Sequence, residues 1–458
     1  MQHVHRITGL TALALGITSA LAFGQVHASG FQLREASVKN LGRAQAGTAV
    51  ARDDASVVSY NPAAMSNLDK TTVQADITVI DLTAEFSGGG NAAAGTPLAR
   101  PLTGGNGGDP GEPTAVPAMA IVIPMHGALE GLTFGASISA PFGLKTEYDP
   151  NWVGRYHAVT SDVETVDLTL SAALKLHDRF SLGLGFIYER AEATLTNAVD
   201  FGSAICRVNI NACLLPTPAT AAFGPQRNDG FFEVHGDDTG IGWLFGAQWQ
   251  PTDKLAIGFS HRSEIDHELE GDLDFTVPGA VVAAMGPGAA AFADGPGGAN
   301  LTTPSTDTLS VRYDFSDSFR MMADVQQTDW HSVRSVLITR TSGQTVGHEA
   351  FNWKDSTLYA LGAEFDLSDA ITLRSGVAMD ESPTNDTTRS PRLPDNERRL
   401  YAMGLTWNAS PSLSIDASYQ RIEIDDPTVN LTSASGSHLT GEYSGHADLF
   451  GVAAQYRF

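Results

Sequence analysis

The sequence predicts an all-β protein: a transmembrane antiparallel β-barrel of about 14 strands with an N-terminal plug in its lumen. Three observations predict this fold. Apolar and polar residues alternate along many segments after Met65, short turns alternate with long loops, and the last strand is apolar on one face and ends on Phe458. Residues 29–70 show neither strand alternation nor a sustained helical period, so we expect them to fill the barrel.

The first 28 residues are typical of a secretory signal. A weakly basic start precedes the apolar run Leu10–Phe23, and small residues lead to Ala28. The run is too short for a transmembrane helix, and we expect the mature chain to begin at Ser29. A buried N-terminal helix is the other interpretation of the same residues.

Composition excludes one large class of partner. The chain has 458 residues and a formal net charge of -24, so it lacks the clustered positive charge that nucleic acid binding needs. Its two cysteines, Cys206 and Cys213, lie in a polar stretch that resembles a loop. They suit a local disulfide or two free thiols, and export favours the disulfide.

The strand assignment depends on alternation with a period of two residues. Tyr401, Met403, Leu405 and Trp407 alternate with smaller or polar residues. One face of such a strand meets an apolar medium and the other a polar one. The apolar face would be the core of a soluble sandwich, whereas in an outer-membrane barrel it faces lipid and the polar face lines the lumen.

The spacing of turns distinguishes these two folds. Short turns lie at residues 127–131, 177–179, 251–254, 316–318, 367–369 and 410–412. Long connections lie at about residues 87–113, 141–160, 196–236, 271–304, 342–353, 381–394 and 425–443. Strict alternation of tight periplasmic turns with long external loops is typical of outer-membrane barrels, and these connections imply about 14 strands over residues 71–458.

The C-terminal strand is expected to close the barrel. It must pair with the first strand, near Thr72–Phe86, because an open sheet edge is not tolerated in lipid. The aromatic C-terminal residue Phe458 resembles the recognition signal for the barrel-assembly machinery. We therefore expect outer-membrane lipids and that machinery as partners, and a monomer.

Several motifs resemble the FadL family of outer-membrane transporters for long-chain fatty acids and other hydrophobic compounds. The N-terminal ones are Gly30-Phe31-Gln32-Leu33, Glu35, Leu41-Gly42-Arg43-Ala44, Gly47, Asp53-Asp54-Ala55 and Asn61-Pro62-Ala63. The later ones are Ala140-Pro141-Phe142-Gly143-Leu144, Trp152–Ala158, and Arg392-Leu393-Pro394-Asp395 with Arg398. They occur in order along the whole mature chain.

The resemblance implies a 14-stranded barrel with an N-terminal hatch. It also implies capture of ligand among external loops, passage to an internal pocket, and sideways exit through a gap in the barrel wall. An apolar route suits such ligands, because each buried methylene contributes about 0.8 kcal/mol.

Two rigid motifs are expected at the exit. The resemblance implies that Asn61-Pro62-Ala63 abuts the wall opening, although it could simply connect the hatch to the first strand. The motif Pro141-Phe142-Gly143 follows a strand, where Pro cannot donate to the ladder and Gly permits a kink. It resembles the inward kink that opens the wall in the family, and the alternative is the start of a loop.

The ligand is expected to meet apolar residues in two places, the N-terminal segment and the external connections. The resemblance places Phe31 and Leu33 against bound ligand, and both could also pack the hatch core. Leu214, Leu215, Val281, Val282, Met285 and Phe292 lie in connections that are normally polar. Exposed apolar patches indicate binding surfaces, so these residues form a capture groove or shield the barrel mouth.

A carboxylate head group would need a cation. Arg190, Arg312 and Lys354 are the head-group candidates, since they lie near strand ends. No metal-ligand spacing accompanies His157 or His331, so the sequence predicts no metal site, and no cofactor.

Passive uptake of long-chain fatty acids is the leading functional prediction, and uptake of aromatic or alkane hydrocarbons by the same fold is the alternative. A cationic pocket residue would favour the fatty acid. No nucleophile, base and orienting group stand out, so a lipid hydrolase is disfavoured. A general porin is disfavoured as well, because a hatch would obstruct solute flow.

Overall fold

The described residues, 30–208, 210–214 and 223–458 of a computed structural model, form a closed antiparallel barrel. The predicted signal, residues 1–28, lies outside them. The strands are β1 Thr72–Ala92, β2 Arg100–Pro101, β3 Thr114–Pro124, β4 Leu132–Ser139, β5 Gly143–Glu147, β6 Thr160–His177, β7 Phe180–Asp200, β8 Asp229–Thr252, β9 Leu255–Arg262, β10 Ile265–Thr276, β11 Gly295–Thr303, β12 Thr306–Ser316, β13 Phe319–Thr328, β14 Ser335–Arg340, β15 Thr345–Ala350, β16 Ser356–Ser368, β17 Ile371–Asp380, β18 Arg398–Asn408, β19 Leu413–Ile424, β20 Thr428–Thr432 and β21 His438–Arg457.

These segments build the 14 wall strands expected from the turn spacing, counted over the described residues. β4 and β5 form one interrupted wall strand, as do β9 with β10 and β11 with β12. β14 and β15 form a hairpin that extends β13 and β16 beyond their own pairing. The predicted closure is confirmed, because β1 pairs with β21 from Thr72↔Arg457 to Asn91↔His438.

The two faces of the wall have the predicted character. Met403 and Trp407 on β18 are 62% and 51% exposed, and they point outward. Thr406 on the same strand is buried, as is Asp416 on β19. An apolar outer band around a polar lumen is what a membrane-embedded barrel requires.

Residues 31–68 form an N-terminal segment of short turns. It contains α1 Val38–Leu41 and α2 Val57–Tyr60, with 3₁₀ turns at Thr48–Val50 and Pro62–Asn67. α1 packs on β18, β19 and β21, the first 3₁₀ turn on β9 and β12, and the second on β6, β7 and β8. Contacts with strands on opposite sides of the ring place the segment in the lumen.

Charged groups fix this segment to the wall. Arg43 lies 2.6 Å from Glu364, and both side chains are buried. Asp324 accepts hydrogen bonds from the backbone N–H groups of Gly47 and Thr48, at 2.6 and 3.0 Å. Buried charges are tolerated only when they are paired in this way, so the contacts specify how the segment sits.

The long connections lie together at one end of the barrel, which we call the external end. They carry α3 Phe201–Val208, α4 Asn211–Leu214 and α5 Gly279–Met285, and 3₁₀ turns at Gly286–Phe292 and Trp330–Ser332. A further 3₁₀ turn, Gly127–Leu129, lies in a short turn at the opposite, periplasmic end. A disulfide joins Cys206 and Cys213. Among the described residues, every helix is too short or too polar to cross a membrane.

Several strands reach further outward than the sequence predicts. The connection expected over residues 196–236 is shortened at both ends, because β7 reaches Asp200 and β8 begins at Asp229. The connection expected over residues 342–353 contains β15. These extensions escape prediction because polar residues such as Asn197, Glu233 and His235 interrupt the apolar outer face that marks the lower parts of the strands.

Candidate ligand-binding site

The external half of the barrel encloses an apolar cavity next to the N-terminal segment. Its empty space is about 820 Å³ including the mouth. The apolar lining comes from the N-terminal segment, strands β5 to β8, β10 and β11, the excursion 329–355 between β13 and β16, and the connection before β18. It comprises Phe31, Leu144, Val163, Ala193, Leu195, Val234, Leu269, Ala299, Leu301, Val333, Val336, Ile338, Phe351, Trp353 and Leu393.

The lining forms because the apolar residues of the extended strands point into the barrel and the charged residues point outward. On β10, Leu269 and Leu273 are buried on the inner face, whereas Glu268, Glu270 and Asp272 are exposed on the outer face. The apolar side therefore points inward above the lipid, opposite to its direction within the membrane. Sequence reasoning missed these residues, although the apolar positions change phase along β8, from Phe232 and Val234 to Ile241 and Trp243, which was a signal that could have found part of the lining.

Phe31 anchors the lower side of the cavity. Its ring lies 5.0 Å from that of Trp330, 5.8 Å from that of Trp353 and 5.8 Å from that of Phe142, measured between centroids. Edge-on aromatic contacts at such distances stabilise a fixed arrangement. The predicted ligand-contact residue Phe31 therefore lines the apolar cavity, and it packs against the wall and the excursion rather than within the N-terminal segment.

One end of the cavity is polar. Arg392 lies there with 5% of its side chain exposed, 3.4 Å from the carboxylate of Glu349. It also donates to the carbonyl oxygens of Thr160 and Thr196, at 3.2 and 3.3 Å, and to the Asn197 side chain at 3.2 Å. A buried guanidinium held in one place can bind a carboxylate. Sequence reasoning noted Arg392 only as part of a motif.

The wall is interrupted beside this cavity. β3 pairs with β4 only from Met119 to Pro124, and within the described residues the stretch Thr114–Ala118 pairs with β1 alone. β4 ends at Ser139, and β5 resumes at Gly143 paired with β6 alone. The ladder is therefore open between β3 and β5, and Pro141-Phe142-Gly143 lies at this break.

The N-terminal segment forms the inner edge of the gap. Leu33 N–H donates to the carbonyl of Pro141 at 2.8 Å, and Gly143 N–H donates to the carbonyl of Phe31 at 2.9 Å. An open space of about 1630 Å³ runs along the gap, and Phe31, Leu144, Val163 and Leu393 line both it and the apolar cavity. The cavity and the gap are thus neighbouring spaces with one shared wall.

Comparison with known proteins shows which family has this architecture. The family model described as outer membrane protein transport protein (OMPP1/FadL/TodX) matches residues 19–458. The chain belongs to the FadL family. The long-chain fatty acid transport proteins of Shigella flexneri and Escherichia coli strain K12 are 30% and 29% identical to it, and each alignment covers 98% of this chain and 99% of the relative.

Solved structures agree with the family assignment. The crystal structure of a Pseudomonas aeruginosa FadL homologue matches with a TM-score of 0.85 at 27% identity, over 94% of this chain and 100% of that one. The Pseudomonas putida toluene transporter TodX matches with a TM-score of 0.64 at 14% identity, over 95% of this chain and 99% of TodX, which shows a shared fold. As a FadL family member, the chain is an outer-membrane transport protein and not an enzyme.

The family motif Asn61-Pro62-Ala63 does not lie at the gap. The Asn61 side chain donates to the carbonyl of Ala247 on β8, and Ser181 on β7 donates to the carbonyl of Ala63. Two glycines admit the turn: a Cβ added at Gly246 would lie 2.0 Å from Asn61 Oδ1, and one at Gly183 would lie 2.4 Å from Ala63 N. The expectation that this motif abuts the wall opening is therefore corrected, because it is packed against β7 and β8.

The three predicted head-group cations do not line the cavity. Arg190 lies on the outer face of β7, 55% exposed and paired with Glu192 and Asp237. Arg312 points into the lumen toward the periplasmic end, where it contacts Asp314. Lys354 is exposed in the connection before β16. A position near a strand end did not reveal which face of the strand carries the charge.

The predicted capture residues divide into two groups. Val281 is buried, and Met285 and Phe292 pack around it with Phe201 and Phe223 in an external apolar cluster. Val282 and Leu214 are each 44% exposed, and Leu215 lies outside the described residues. Three of these residues therefore pack together, which fits shielding of the barrel mouth, and two offer exposed apolar surface. A capture groove stays a prediction.

Proposed function

We propose that this outer-membrane transport protein carries long-chain fatty acids passively, from capture at the external loops through the apolar cavity to lateral exit at the gap between β3 and β5. The observation that carries this proposal is one apolar cavity with a buried arginine at one end and an interrupted barrel wall at its side. Each half of a fatty acid has a matching surface in this arrangement.

The tail would be held by burial. Each methylene transferred from water to the apolar lining contributes about 0.8 kcal/mol, so a long chain gains much more than a small solute. The head group would pair with Arg392, which is already fixed by backbone carbonyls and would exchange Glu349 for the ligand carboxylate.

Exit would follow the shared wall of the two spaces. Phe31 and Leu144 separate the cavity from the gap, and Phe31 belongs to the N-terminal segment. A small movement of that segment would join the two spaces and let the tail slide between β3 and β5 into lipid. In this proposal residues 29–70 are a hatch, and the polar lumen below it is never the route.

The relatives support the same substrate class. Those that align over nearly the whole chain include long-chain fatty acid transport proteins. Toluene transport is the second candidate, because the cavity lining is almost entirely apolar and TodX shares the fold. Assembly through Phe458 and removal of residues 1–28 remain predictions within this proposal.

Binding of palmitate and of toluene to purified protein separates the two candidates. In the fatty acid proposal, Arg392→Leu weakens palmitate binding at least about tenfold and leaves toluene binding unchanged. Arg190→Leu is the matched control, since it removes an exposed arginine from the outer face. Equal palmitate affinity in the Arg392→Leu variant and the unaltered protein would instead favour hydrocarbon uptake, and mass spectrometry of co-purified ligands provides an independent check.

A further inference from the structure

Three metal-ligating side chains converge at the base of the excursion 329–355, outside the ligand cavity. Asp329 follows the last residue of β13, Asp355 precedes the first residue of β16, and His331 lies in the intervening 3₁₀ turn. One ligand atom from each of the three lies within 4.8 Å of the others. The sequence did not predict this cluster, because Asp355 is far along the chain from the other two.

Strand pairing brings the two carboxylates together. Thr328 and Ser356 are directly paired across β13 and β16, so the residues just beyond them face each other where the excursion leaves the wall. Asp329 is held further by Ser305, whose hydroxyl donates to its carboxylate at 2.9 Å and whose carbonyl accepts its N–H at 3.0 Å. The Asp355 carboxylate accepts the backbone N–H of His331 at 3.0 Å. The site is thus positioned by the backbone.

The donor set fits a divalent transition metal. His331 Nδ1 lies 2.6 Å from Asp355 Oδ1, so the imidazole already points into the cluster. Two ligand atoms on one tetrahedral Zn²⁺ lie about 3.4 Å apart, which small side-chain rotations reach here. An imidazole with two carboxylates suits Zn²⁺ better than Mg²⁺ or Ca²⁺, which favour sites made of oxygen atoms alone. His331 is 58% exposed and open to solvent, so an ion can enter.

We propose that Asp329, His331 and Asp355 bind one Zn²⁺ ion that clasps the base of the excursion. Residues next to these ligands belong to the cavity wall, so an ion bound here would affect that wall. Trp330 lies between two of them and packs on Trp353 with centroids 5.2 Å apart, and the excursion supplies Val333, Val336, Ile338 and Phe351 to the cavity wall. An ion bridging the two ends of the excursion would hold this side of the cavity in place.

Calorimetric titration of the untagged, EDTA-treated protein with ZnCl₂ tests the site without any fatty acid. We expect one saturable Zn²⁺ site per chain, with affinity at least about tenfold lower in His331→Ala and in Asp355→Asn. His348→Ala is the matched control, because it removes a histidine from the same excursion away from the cluster. Circular dichroism checks that each variant keeps its barrel. Absence of saturable binding, or equal binding by His331→Ala, would overturn the proposal.

Trypsin cleavage within the excursion tests the clasp itself. Arg334 and Lys354 are exposed there. Zn²⁺ should slow cleavage at these residues in the unaltered protein and in His348→Ala, and have no such effect in His331→Ala. Stoichiometric binding without any protection would overturn the clasp.

Discussion

The ring of Phe31 packs edge-on against that of Trp330, with centroids 5.0 Å apart, while the carbonyl of Phe31 accepts the N–H of Gly143 at 2.9 Å. One residue therefore contacts the cavity wall with its side chain and the edge of the wall gap with its backbone. Movement of this single residue would alter the cavity and the wall gap at once, so it is the first residue to test by mutation.

Replacing Phe31 with alanine should weaken palmitate binding about tenfold while the barrel still assembles. The reason is local: the change removes an aromatic ring that is 8% exposed and leaves every strand pair intact. Calorimetric binding measures the effect. Phe450→Ala is the control, because that ring is 55% exposed on the outer face. If both variants bind palmitate as the unaltered protein does, Phe31 is not a ligand contact.

Replacing Gly143 with leucine should abolish fatty acid uptake by cells and leave the amount of folded barrel unchanged. A Cβ at this position would lie 2.8 Å from Leu33 Cδ1, so a larger side chain fills the gap beside the N-terminal segment. Uptake of labelled oleate measures the effect. Gly89→Leu provides a comparison, since a Cβ there meets nothing within 4 Å. Normal uptake by Gly143→Leu would exclude exit at this gap.

Replacing Glu364 with glutamine should loosen the N-terminal segment. Glu364 pairs with Arg43, Arg320 and Arg374 at 2.6 to 2.8 Å, and removing its charge leaves the buried Arg43 and Arg374 and the half-buried Arg320 close together. Loss of one partner from a buried pair costs about 3–5 kcal/mol. We expect larger ion currents through this variant in planar bilayers.

The matched control for that variant is Asp425→Asn. Its pair with Arg399 is more than one-third exposed on both sides, and exposed pairs contribute only about 0–1 kcal/mol. Large currents through the unaltered protein would contradict the assignment of residues 29–70 as a hatch.

Acid should open the external connection that contains His157. Burial disfavours the charged imidazole and lowers its pKa to about 4. In an opened connection the pKa returns toward its usual value of about 6.5, so the opened form binds more protons between these values. The closed form is therefore most stable above pH 6.5, and it loses up to about 1.4 kcal/mol for each pH unit as the pH falls toward 4.

Hydrogen exchange of residues 148–159 measures this opening. Comparison with His157→Gln at each pH removes the intrinsic pH dependence of exchange. We expect the excess exchange at acidic pH to appear in the unaltered protein alone. His126→Gln, which changes an exposed histidine, should behave like the unaltered protein.

The sequence by itself determined the barrel, its strand number, its closure and the family. These properties depend on local signals: the alternation that assigns each strand, the lengths of the turns and the order of short motifs. The sequence also singled out Phe31 and Pro141-Phe142-Gly143 as candidates, because the motifs that contain them are contiguous in the chain, and their roles stay predictions.

The tertiary structure alone decided where ligand chemistry converges. Arg392 faces the cavity, while Arg190 faces outward and Asn61 lies against β7 and β8. The apolar side of β10 faces the inside of the barrel, whereas the apolar sides of the membrane-facing strands face outward. Asp355 meets His331 only because Thr328 pairs with Ser356. The physical reason is that the direction of a side chain depends on strand register and on depth relative to the lipid, which a single strand does not specify.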